Sequence, residues 1–222
     1  MKPEIHFQYD DVASELANLG LKLEPLHQVG AAWLLAIRNW TPNHPRVYRG
    51  LSAWAEGVKT AREGLHPLGW YGVEEKNYPL TVHPSGDLAL AIVSGDYDTG
   101  VVEGNPKNKV PKGPRTAELV QENRLVHQTS LFDEADLPPL PEGIALEDKA
   151  ERTTYLLLVC VDTASSEIRS ELSLPMSMND EGVITSWKKR IILPSTSFGG
   201  EPEVKREPDL PDLNIDVTRK VA

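Results

Sequence analysis

The chain has 222 residues, of which 40% are hydrophobic and 25% are charged. This balance is typical of a globular protein that buries a core, and it excludes a wholly disordered or fibrous chain. No apolar run approaches the ~20 residues that cross a bilayer. The N-terminus also lacks the apolar stretch of a secretory signal, so we expect a cytoplasmic protein with no membrane-spanning segment.

The formal net charge of −10 is concentrated in one segment. Residues 133–151 contain seven acids and one base, together with Pro138, Pro139 and Pro141. We therefore predict an acidic, proline-rich surface excursion over 128–151. Because the rest of the chain carries only −4, the charge implies neither a general repulsion of nucleic acid nor a mimic of it.

In the first third of the chain, apolar residues recur every three or four positions, which predicts helices. Asp10 or Asp11 can cap a short first helix that ends at Gly20. A second helix is predicted to begin near Pro25 and to break at 41–45. A third helix pairs with the second in an antiparallel arrangement. Its apolar stripe consists of Val47, Leu51, Trp54, Val58, Ala61 and Leu65.

The pattern then changes to that of strands. The runs 79–83 and 88–93 favour β-structure and flank a turn-rich centre, which predicts a hairpin. Residues 94–113 are rich in Gly, Lys, Pro and Asn, so we expect a long loop there. A short helix is predicted over 114–123, with proline at its first position.

Three further strands are predicted over 153–162, 168–174 and 183–193. The first of them is apolar throughout and therefore requires cover on both of its faces. Together with the hairpin, this meander predicts an α+β fold in which the N-terminal helical pair packs on an antiparallel sheet. We expect one α+β domain over 1–194 and a polar tail over 195–222.

Metal and nucleophile signatures are absent from the sequence. No two of the six histidines have the i, i+4 spacing that places two ligands on one helix face, so we predict neither a metal site nor a cofactor. The single cysteine, Cys160, lies in an apolar run, and we expect a buried, inert thiol. No Gly-x-Ser-x-Gly or Ser-x-x-Lys motif indicates serine catalysis.

One candidate catalytic cluster surrounds the second hairpin strand. Asp96 and Asp98 are two residues apart and point to the same side of an extended chain. His83 and Asp87 lie across the preceding hairpin. These four side chains can bind a divalent cation or act as general acid and base, as in a metal-dependent hydrolase or nuclease. The alternative is that Asp and Gly at a strand end simply form a turn.

A basic loop is the best candidate anion-binding site. Lys107, Lys109, Lys112 and Arg115 follow one another without an intervening acid and lead into a predicted helix start. Backbone N–H groups and lysines in this arrangement can bind the phosphate of a nucleotide or a nucleic acid. The spacing does not fit a P-loop, and the alternative is a solvated surface loop.

Trp70 and Tyr71, flanked by glycines, form either a partner-binding surface or a plug at one end of the core. The missing catalytic motif, the acidic segment and the polar tail favour a non-enzymatic interaction protein, either an inhibitor or an accessory subunit. We expect a protein partner and no membrane partner, with nucleic acid as the alternative. The second face of the central apolar strand could also be covered by another copy of the chain.

Overall fold

The computed structural model describes residues 2–129 and 152–199. The predicted acidic excursion from residue 130 onward and residues 200–222 of the predicted tail lie outside this part of the chain. The helices of the described part are α1 (Tyr9–Asn18), α2 (Leu23–Arg38), α3 (Arg46–Leu65) and α4 (Pro114–Thr129), with a 3₁₀ turn at His66–Leu68. The strands are β1 (Glu4–His6), β2 (Tyr71–Glu75), β3 (Tyr78–Val82), β4 (Leu88–Ser94), β5 (Thr153–Asp162), β6 (Glu167–Met178), β7 (Ile184–Ile192) and β8 (Thr196–Ser197).

The fold is α+β, with helices first and most strands later, as predicted. The strands form one sheet in the order β1-β7-β6-β5-β4-β3-β2, and β8 pairs with β6. The predicted hairpin is β3–β4, and the predicted meander is β5–β6–β7. The sheet also contains β1, β2 and β8, which the sequence pattern did not predict.

The sheet is mixed, whereas the sequence predicted an antiparallel one. β4 and β5 are parallel, with register from Leu88↔Thr153 to Ser94↔Val159, and β1 runs parallel to β7. The chain leaves β4, forms α4 against β5 and β6, and re-enters the sheet as β5. A helical crossover of this kind returns the chain in the same direction, which makes the two strands parallel.

Both faces of the sheet are covered, as the apolar character of β5 requires. Tyr155, Leu157 and Val159 pack into the core that the sheet shares with α1–α3. Leu156 and Leu158, on the other face, pack into a second core with Leu119 of α4 and Trp187 of β7. Successive strand residues point to opposite faces, so one apolar strand serves both cores.

Two glycines shape the layer formed by helices α1, α2 and α3, one by ending a helix and one by allowing a close side-chain contact. α1 ends where Gly20 adopts a φ of +65°, and the Leu21 N–H then donates to the Leu16 carbonyl at 2.8 Å. This is the left-handed helix end that glycine favours. The predicted cap at Asp10 or Asp11 is wrong, since the helix begins at Tyr9 with Gln8 as its N-cap and both aspartates lie in its first turn. Between α2 and α3, Gly57 allows the Trp33 ring to approach closely, since an added Cβ would lie 2.9 Å from it.

No helix within residues 2–129 and 152–199 is both long and apolar enough to cross a membrane.

Candidate functional site: a cationic cleft at the end of the parallel strands

A cleft of about 800 Å³ lies at the carboxyl ends of the two parallel strands β4 and β5. The N-terminal half of α3 forms one wall, and the loop over 94–113 forms the other. The carboxyl end of parallel strands is the usual ligand position in open α/β sheets. Connections that leave neighbouring strands in different directions open a crevice there. The volume is also within the ~300–1,000 Å³ of small-molecule pockets.

The floor of the cleft is aromatic and apolar. Trp33 is 5% exposed and packs against α3, while Trp54 donates from Nε1 to the Ile92 carbonyl at 3.1 Å. Cys160 of β5 also lines the cleft and is buried, as predicted. Burial raises the pKa of its thiol, which keeps the sulfur protonated and a poor nucleophile.

The rim of the cleft carries four cations and one carboxylate. Arg46, Arg49, Lys109 and Lys112 line it, and Asp96 is the only acid among the lining residues. None of these four cations forms an ion pair within the described residues, although Arg49 lies 6.0 Å from the ring centroid of Trp40. Away from the cleft, cations are commonly paired, as Arg62 is with Glu74 at 2.8 Å. A local excess of positive charge therefore exists on a chain whose net charge is −10.

The wall formed by loop 94–113 is fixed at both of its ends. Lys109 N–H donates to the Ser94 carbonyl at 2.9 Å, which closes the loop onto the end of β4. The buried Asn108 side chain accepts from Ile184 N–H at 2.8 Å and donates to the Gly182 carbonyl at 2.9 Å. The Pro106 carbonyl accepts from Trp187 Nε1 at 2.9 Å. These contacts hold the cleft lysines in place from the opposite face of the sheet.

The four predicted catalytic side chains occupy two separate places. Asp96 accepts from Asp98 N–H at 3.2 Å, and Asp98 accepts from Asn105 N–H at 3.1 Å, so both carboxylates stabilise turns. His83 and Asp87 lie before β4, with Nδ1 and Oδ1 4.0 Å apart. The strand between the two pairs spans roughly 20 Å at ~3.3 Å per residue. Among the residues that the structure covers, no three His, Cys, Asp or Glu side chains could hold one metal ion.

The predicted anion-binding residues are also divided. Lys109 and Lys112 reach the cleft, whereas the exposed Lys107 is not among the residues that line it. Arg115 lies on α4, where it pairs with Glu75 at 2.7 Å and with Glu118 and Glu122 at 3.0 Å each. Its guanidinium is therefore engaged in holding α4 to β2.

The predicted partner-binding pair divides in the same way. Trp70 is 1% exposed, donates from Nε1 to the Gly20 carbonyl at 3.3 Å and belongs to the first core. Tyr71 is 48% exposed at the edge strand β2. Only the tyrosine is accessible to a partner.

The two arginines of the cleft were not predicted from the sequence. Arg46 and Arg49 lie three residues apart at the start of α3, on the same helix as the exposed Val47 and Leu51. The pattern that could have predicted them is two arginines beside large apolar residues at a helix end. This mixture is unusual on a helix face that contacts only solvent.

No protein-family model matches the chain, and no curated protein or solved structure matches it. The proposed function therefore depends on the geometry of the cleft.

Proposed function

We propose that the protein binds a small organic anion, a carboxylate or phosphate attached to an apolar or aromatic body, in the cleft at the ends of β4 and β5. The observation that carries the proposal is a set of four cations around an aromatic floor, none of which is ion-paired with another described residue. Like charges that face a shared cavity repel one another, and a bound anion removes that repulsion. Arginine suits such a ligand because its guanidinium can donate two parallel hydrogen bonds to a carboxylate or phosphate.

The floor explains why the ligand should carry an apolar body. Trp54 of the floor is only partly buried, and with the exposed Val47 and Leu51 at the mouth it offers ring and aliphatic surface that a bare inorganic anion would leave exposed. An aromatic or aliphatic group that stacks there gains free energy from burial, about 25 cal/mol per Å² of apolar surface removed from water. The polar rim then fixes its orientation, which is the common division of labour in ligand pockets.

Calorimetric titration with 1-naphthyl phosphate and with neutral 1-naphthol tests this proposal. We expect the phosphate to bind more tightly than the naphthol and to lose affinity as salt is added. The double variant Arg46→Gln/Arg49→Gln should bind the phosphate about tenfold or more weakly, since a lost charge-assisted hydrogen bond costs ~1.5–3 kcal/mol. Lys59→Gln is the matched control, because Lys59 lies on the same helix but pairs with Glu56. Equal affinity for both ligands, or an equal effect of both variants, would overturn the proposal.

A second candidate function is binding of another polypeptide at the mouth of the cleft. Val47, Leu51, Tyr97 and Val110 line it and are 70%, 53%, 67% and 55% exposed. Large apolar side chains grouped in this way are typical of interaction surfaces, and this candidate retains the inhibitor or accessory-subunit hypothesis. An affinity pull-down with and without nuclease tests it. A stoichiometric protein that survives nuclease and is lost with Leu51→Glu supports it, whereas recovery of nucleic acid or no partner contradicts it.

A further inference from the structure

The side chain of Lys112 lies where two cavities meet. Lys112 and Trp54 line both the cleft and a smaller cavity of about 100 Å³. The smaller cavity is otherwise bounded by Ile92 and Val93 of β4 and by Tyr78 and Pro79 of β3. The lysine side chain is therefore half-buried among largely apolar neighbours at the end of β4.

The backbone of Lys112 is held firmly from the other side. Its N–H donates to the Gly182 carbonyl at 2.9 Å, in the turn between β6 and β7. Gly182 has a φ of +76°, and a Cβ added there would lie 2.4 Å from the Lys112 carbonyl oxygen. This close approach requires glycine, and it delivers the lysine side chain into the cleft from a fixed position.

The ammonium of Lys112 has no hydrogen bond or ion pair to any described residue. No carboxylate lines the smaller cavity, and Asp96 is the one acid that lines the larger. Burial lowers the pKa of Lys112 from the usual lysine value. A larger fraction of this amine is therefore neutral near pH 7 than of an exposed lysine, and the neutral form is the nucleophile.

We propose that Lys112 is a reactive amine that forms an imine with an aldehyde or ketone bearing an anionic group. The anionic part of this inference rests on the proposed function of the cleft, since Arg46, Arg49 and Lys109 would hold the carboxylate or phosphate. The amine lone pair adds to the carbonyl carbon, and a proton moves from nitrogen to oxygen to give a carbinolamine. Loss of water then gives the imine, so one amine and one carbonyl yield one imine and one water without any redox change.

Reductive trapping tests the proposal on the full-length protein. The probe is 4-carboxybenzaldehyde with sodium cyanoborohydride at neutral pH, which converts the imine into a stable secondary amine that peptide mapping by mass spectrometry locates. We expect Lys112 to be labelled several-fold faster than Lys107, an exposed lysine of the same loop that lies outside the cleft lining. This comparison is internal to the wild-type protein and needs no variant. In Lys112→Arg, the total labelling of the protein should fall to the amount contributed by its remaining lysines.

Two further labelling measurements separate the imine from the anion site. Neutral benzaldehyde should label Lys112 more slowly than 4-carboxybenzaldehyde does. 4-Methylbenzoate should protect Lys112 from labelling by 4-carboxybenzaldehyde. Labelling of Lys112 no faster than of Lys107 would overturn the reactive amine, even where 4-methylbenzoate binding shows that the anion site is intact. Equal labelling by benzaldehyde would overturn the anionic class of the carbonyl compound.

Discussion

Glu171 and Arg190 form a fully buried ion pair, with Oε2 and Nη2 2.6 Å apart and side chains that are 0% and 1% exposed. The pair lies under loop 94–113. Arg190 donates to the carbonyls of Val101 and Gly104 at 2.9 and 2.8 Å, and Glu171 accepts from Gly100 N–H at 2.9 Å. This segment of the cleft wall forms no regular secondary structure. The ion pair in the sheet instead provides hydrogen-bond partners for backbone groups that would otherwise be buried without them.

Removing one charge of this pair should strongly destabilise the protein. We expect Glu171→Gln to lower the free energy of unfolding by ~3–5 kcal/mol, since it leaves the Arg190 guanidinium buried without its counter-charge. Urea denaturation followed by circular dichroism measures the change. Glu56→Gln is the control, because Glu56 pairs with Lys59 at 3.4 Å on the exposed surface of α3. That pair should contribute no more than ~1 kcal/mol, and equal losses in the two variants would contradict the role given to Glu171.

The turn at Gly182 should be sensitive to a single methyl group. Gly182→Ala combines a positive φ with a Cβ at 2.4 Å from the Lys112 carbonyl oxygen. Gly86 is the matched control, because its φ is +83° and nothing lies within 4 Å of an added Cβ. Gly86→Ala should cost only the ~1–2 kcal/mol of the left-handed conformation, while Gly182→Ala should cost more and slow the trapping of Lys112. Similar unfolding midpoints for both variants would show that the contact with Lys112 is unimportant.

The regular elements could be predicted from local patterns, but the site could not. Periodicity identified α2, α3, the hairpin and the meander, because each depends on residues close in sequence. The parallel pairing of β4 with β5 joins segments almost 60 residues apart through α4, and no local signal marks it. Nothing in the pattern of β6 shows that Glu171 lies under loop 94–113, because the two segments are distant in sequence. For the same reason, only Lys109 and Lys112 of the cleft cations could be predicted from the sequence, since the arginines come from a helix that is distant in the chain.

Asn123 should be essential for docking α4 onto the sheet. It is 0% exposed, donates from Nδ2 to the carbonyls of Thr154 and Pro175 at 2.8 and 3.2 Å, and accepts from Thr154 N–H at 2.7 Å. Asn123→Leu leaves three backbone groups without partners, each at ~1–3 kcal/mol, so we expect a loss of at least ~3 kcal/mol in unfolding free energy. Gln121→Leu, on the exposed face of the same helix, should change stability by no more than ~0.5 kcal/mol. Comparable melting curves for the two variants would rule out this role of Asn123.

Glu75 should make stability depend on pH in the acid range. Burial alone would raise the pKa of Glu75, but hydrogen bonds and charge from Arg152 and Arg115, at 2.7 Å each, outweigh it and lower the pKa. A carboxyl whose pKa is lower in the folded state than in the unfolded chain stabilises the protein above the unfolded value, roughly 4.3. That contribution is lost as the pH falls through the lower, folded-state pKa.

Glu75→Gln should therefore be less stable than the wild type near neutral pH and should lose less stability on acidification. Urea midpoints measured from neutral pH down to about pH 3 give both quantities. Glu103→Gln is the control, since Glu103 is exposed and has no ion pair within the part of the chain that the structure describes. It should follow the wild-type acid curve. If Glu75→Gln also follows that curve, Arg115 and Arg152 do not stabilise the Glu75 carboxylate, and the lowered pKa of Glu75 is wrong.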